Sequence, residues 1–96
     1  MNETVPTHVE IGDSVIYQDL QDEVVILNLA SQQYYGLDDV GAAMWKLLLD
    51  RREVASATRQ LATEFDVDSD VVRADLYALI RQLMESGLLK SSPLQI

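Results

Sequence analysis

The chain has 96 residues, no cysteine, and 16 acidic against 7 basic side chains, giving a formal charge of −9. That length sets one domain with a modest core, the lack of thiols excludes disulfides and thiol chemistry, and the negative field disfavours a phosphate backbone as partner. No basic start runs into an apolar segment and no apolar stretch nears the ~20 residues that span a bilayer, so the sequence is expected in the cytoplasm and away from membranes.

Residues 1–13 are polar, carry Pro6 and Gly12, show no period, and read as an N-terminal tail. His8 is the sole histidine and has no neighbouring ligands for a metal. Val15-Ile16-Tyr17-Gln18 is a short β-branched and aromatic run, a first strand. After the polar Gln21-Asp22-Glu23, the near-continuous apolar run from Glu23 to Leu29 has the character of a central strand. Ala30-Ser31-Gln32 turns the chain into a third strand, Gln33-Tyr34-Tyr35-Gly36-Leu37. Short turns between successive strands predict an antiparallel meander, and the third strand is its open edge.

Asp38 or Asp39 is placed to cap a first helix running to about Asp50. Val40, Met44, Leu47 and Leu48 recur at helical spacing, with Trp45 beside that stripe as a core anchor. A second helix is expected over 54–65, with Val54, Ala57, Leu61, Ala62 and Phe65 on one face. A third is expected over 70–86, with Val72, Leu76, Leu79, Ile80 and Leu83 in its core stripe and Gly87 as its left-handed stop. Leu88 and Leu89 should fold back on the core, and 90–96 reads as a C-terminal tail. The fold class is therefore α+β, winged-helix-like, with a three-stranded antiparallel sheet followed by three helices in one domain over 14–89.

Catalytic constellations are missing. No histidine stands near a serine. The four glycines, Gly12, Gly36, Gly41 and Gly87, form no phosphate loop. The aspartates before the helices are accounted for by caps and helix dipoles, and no metal or cofactor is expected. Binding remains. Arg73, Tyr77, Ile80, Arg81 and Met84 are three or four residues apart and share one side of the third helix. With the open strand they form two walls of a groove for an extended peptide. The two arginines lead to the expectation that acidic peptide residues are preferred.

The run Tyr34-Tyr35-Gly36-Leu37-Asp38-Asp39-Val40-Gly41-Ala42-Ala43-Met44-Trp45-Lys46-Leu47-Leu48 resembles the central signature of the PqqD family. Residues from Leu61 to Asp68 match that family's second helix and exit turn, and those from Asp75 to Leu89 its closing helix, so the likeness extends over 14–89. Asp38 stands where the family often has asparagine, and Leu49-Asp50-Arg51-Arg52 lacks the glycine common in the inter-helix turn.

The resemblance implies a recognition element for precursors of ribosomally made, modified peptides, whose leader adds as a strand beside the third strand and under the third helix. Carried onto this chain, the contacts are Gln33, Tyr34, Tyr35 and Gly36 on the edge, and Arg73, Leu76, Tyr77, Ile80, Arg81 and Met84 on the helix. Among free-standing members the chain looks most like the leader-binding protein of lasso peptide pathways. Such a protein holds the leader for a separate leader peptidase, before a cyclase closes the ring. The alternative within the family is a chaperone delivering a precursor to a radical enzyme in pyrroloquinoline quinone synthesis. A winged-helix DNA-binding regulator is the alternative from another class; Asp70, Asp75 and Glu85 on the third helix weigh against it.

Overall fold

The computed structural model describes residues 5–93. In chain order it contains β1 (Val9–Ile11), β2 (Val15–Asp19), β3 (Val24–Asn28), β4 (Gln33–Leu37), α1 (Asp39–Arg51), α2 (Val54–Phe65), α3 (Ser69–Glu85) and β5 (Leu89–Ser91). The expected meander is present as an antiparallel sheet in the order β2-β3-β4, and the three expected helices follow it. The residues expected as tails differ. β1 and β5 pair antiparallel, Val9 opposite Ser91 and Ile11 opposite Leu89. Val9 and Leu89 are buried, so these short segments gain their order from the core beneath them rather than from local propensity. His8 makes an isolated bridge with Glu53 and hydrogen-bonds Thr7 through its ring, in keeping with a structural role.

Helix ends follow their sequence signals. Asp38 stays extended and accepts from the Gly41 N–H at 2.9 Å, and Asp68 accepts from the Asp70 N–H at 2.8 Å. The end of α3 closes with Leu88 N–H on the Leu83 carbonyl at 2.8 Å and Gly87 at φ +75°, a backbone shape that suits glycine. Asn28 fastens this end to the sheet. Its side-chain nitrogen donates to the Ser86 carbonyl at 3.0 Å, while its oxygen accepts from the Ala30 and Ser31 N–H groups.

The core lies between the inner face of the meander and the helices. Val24 and Ile26 on β3 meet Trp45 and Leu48 on α1, Leu61 on α2, and Leu76, Ile80 and Leu83 on α3. Gly12 is a point of close approach, because a methyl there would run into the Gly87 carbonyl while its own N–H donates to the Leu88 carbonyl at 2.9 Å. Gly12→Ala is therefore expected to destabilise by about 1–3 kcal/mol, as overpacking against rigid backbone does. In a domain of this size that is a fall on the order of 10 °C in Tm, and an unchanged melting midpoint would contradict the close approach.

Candidate peptide-binding edge and groove

Ladder geometry identifies which backbone groups of β4 are free. Leu29 donates its N–H to the Ser14 carbonyl, so the groups of Leu29, Leu27 and Val25 point towards β2. Those of Asn28, Ile26 and Val24 then point to β4 and meet Gln33, Tyr35 and Leu37, their register partners. By alternation the N–H and C=O of Tyr34 and Gly36 point away from the sheet, and no strand among the described residues pairs with that side of β4.

Beside this edge lies a groove of about 530 Å³, lined by residues 34–37 of β4 and by Leu79, Gln82, Leu83, Glu85, Ser86 and Leu88 at the end of α3. Leu83 and Leu88 are buried and make the floor. Leu37 and Leu79 are half-buried and make the walls. Gln82, Glu85 and Ser86 supply the polar rim. A strand laid along the edge would present every second side chain to this apolar floor.

The helix side of the groove differs from the sequence expectation. Of the expected residues, Tyr34, Tyr35 and Gly36 line it, and Gln33 is the exposed start of the same strand, its side-chain oxygen accepting from the Tyr35 hydroxyl at 2.8 Å. Leu76 and Ile80 are fully buried in the core. Arg73, Tyr77, Arg81 and Met84 fall on the other flank of α3. At 100° per residue the core line through Leu76, Ile80 and Leu83 divides them from Leu79, Gln82 and Ser86. Met84 accordingly borders a different hollow, with Gly12, Asn28 and Leu89, and Arg73 is bound to Asp70 at 2.7 Å. Leu79 and Leu88 were legible only as core residues. Gln82, Glu85 and Ser86 carried no signal in the sequence beyond their spacing.

Other surfaces are mostly self-satisfied. A hollow of about 560 Å³ between β1, β5 and α1 contains Glu10, Asp13, Arg52 and Lys90. There Arg52 pairs with Glu10 at 3.0 Å and Lys90 with Asp13 at 2.8 Å. The Asp13 hydrogen bond raises the Lys90 ammonium above its ordinary value. At the far end of the sheet, the Gln21 N–H and then Lys46 hold the Asp19 carboxyl below the usual carboxylate range. On the outer sheet face Ile16, Leu27 and Tyr34 stand in one cross-strand row, Tyr34 being 75% exposed. Among the described residues no group of three or more potential metal-ligating side chains occurs, and no helix is long and apolar enough to cross a membrane.

An open sheet edge over an apolar furrow walled by a helix defines a small α+β module with a groove along one strand edge. The chain belongs to the PqqD family: residues 23–89 match the family described as coenzyme PQQ synthesis protein D. Its fold is that of a PqqD-like recognition element. The structure of TbiB1 in complex with the TbiA(beta) leader peptide is similar at a TM-score of 0.81 and 34% identity, over 86% of this chain and 96% of that one. A lasso peptide synthetase B1 complexed with the leader peptide is similar at 0.77 and 24% identity, over 86% and 98%, and at that identity the likeness concerns the fold. No curated protein matches the sequence.

Proposed function

We propose that this protein binds the leader segment of a ribosomally made precursor peptide as an added strand on β4. The leader would bond to the outward groups of Tyr34 and Gly36 and set alternate side chains on Leu37, Leu79, Leu83 and Leu88. The observation that carries this reading is the coincidence of the unpaired edge with the apolar groove. The 34% identical TbiB1, in complex with a leader peptide, supports it, and the likeness in fold to a lasso peptide synthetase B1 is what suggests a lasso peptide pathway. The chemistry would then be done elsewhere. A separate leader peptidase would act on a precursor held at raised effective concentration, before a cyclase closes the ring. Delivery to a radical enzyme is the second reading, supported by the family's description.

Calorimetric titration with the leader half of the precursor, and with a DNA duplex as control, tests the reading. Micromolar or tighter leader binding with silent DNA is expected. Salt-sensitive DNA binding with a silent leader would mark a regulator instead. In the same assay Arg73→Glu is expected to leave leader affinity within about twofold, because that side chain is exposed, bound to Asp70 and on the far flank of α3. A loss beyond tenfold would return the site to the arginine face.

A further inference from the structure

The chain's seven basic residues are Lys46, Arg51, Arg52, Arg59, Arg73, Arg81 and Lys90. None of them lines the groove beside β4, where Glu85 is the one ionic side chain among the described residues. Glu85 is exposed on the rim and has no ion pair among the described residues, whereas Lys46, Arg52, Arg73 and Lys90 are each held by a carboxylate elsewhere. One helical face repeats through positions 75, 79, 82 and 86, so Asp75 lies on the groove flank ahead of Leu79. Asp38 and Asp39 stand where β4 ends. The flank, the rim and the overall charge of −9 thus have one sign.

Resting on the leader-binding reading, we infer that the groove selects a leader strand carrying a lysine or arginine, which meets Glu85 at the rim, and discriminates against an acidic residue there. This is the reverse of the charge preference that the α3 arginines led one to expect. A cation on the incoming strand gains from Glu85 and from the surrounding field, while an acidic strand approaches both unfavourably. Because Glu85 is exposed, the pair acts on selectivity and on association rate more than on total affinity.

The probe is a display library of random twelve-residue peptides panned against the full chain, with Gly36→Pro panned in parallel. The peptide recovered most often is then titrated by fluorescence anisotropy against wild type, Glu85→Gln and Glu85→Lys at low and high salt. Recovered peptides are expected to be enriched in lysine and arginine and to be lost on Gly36→Pro. Affinity should fall about threefold in Glu85→Gln, with a weaker salt dependence, and about tenfold in Glu85→Lys, which should recover acidic peptides when panned itself. Peptides that need the Gly36 edge but show no charge preference and no response to Glu85 would overturn the inference and leave the leader reading standing. Peptides captured equally by Gly36→Pro would overturn the edge reading, and the inference with it. Circular dichroism of each variant checks that the exposed substitutions leave the fold intact.

Discussion

Gly36→Pro is expected to weaken leader binding ten- to hundredfold, with the fold retained. The Gly36 N–H faces the open side of β4, and a side-chain atom added there meets nothing within 4 Å. Proline removes that one donor and is tolerated on an edge strand. A partner carbonyl left unpaired in the complex costs about 1–3 kcal/mol, which spans the stated range. Tyr35→Pro is the opposite control. Its N–H points inwards to β3 opposite Ile26, so proline breaks a ladder bond and should lower stability before it alters binding. Titration calorimetry with a melting curve on each variant separates the two. Equal affinity for Gly36→Pro and wild type, both folded, would rule out strand addition at this edge.

Trp45→Ala is expected to destabilise the domain by about 3–5 kcal/mol, the usual cost of emptying a large aromatic site. Trp45 is fully buried on α1, and the Tyr17 ring packs edge-on to it with centroids 5.5 Å apart and planes at 79°. Through this contact α1 holds β2 to the core and keeps the sheet that carries the edge in place. Since small domains retain only about 5–15 kcal/mol, a substantial share of the margin would go. Trp45→Phe should cost much less. It keeps an aromatic at the site, and the indole N–H it removes has no hydrogen-bond partner among the described residues. Urea denaturation followed by far-UV circular dichroism measures both. A Trp45→Ala midpoint close to wild type would mean that the α1–sheet contact contributes little.

Much of the scaffold was legible because its signals are local. The β-branched runs, the Asp38 and Asp68 caps and the Gly87 stop each act within a few residues, and the helical period marked Leu48, Leu61, Leu76 and Leu83 as core. The strand Gln33–Leu37 was identifiable as an edge because only one sequence neighbour precedes it before the helices begin. The pairing of β1 with β5 was not legible. Residues 9–11 and 89–91 are too short to carry a usable period, and the partners are brought together by the rest of the fold.

The sequence by itself determined the three-stranded meander, the three helices, the caps of α1 and α3, most of the core and the family likeness, since these depend on local propensity and spacing; Val40 and Phe65, read on the core stripes, are exposed. Only the tertiary structure decided that Tyr34 and Gly36, rather than Tyr35, turn their backbone groups away from the sheet, because a strand's free side is defined by which side its neighbour occupies. It likewise decided that Leu79 and Gln82, rather than Arg73 and Arg81, face the groove. Helical spacing fixes the angles between side chains on α3, but the direction in which that wheel is turned comes from Leu76, Ile80 and Leu83 packing on the core and from Asn28 fastening the end of α3 to the sheet.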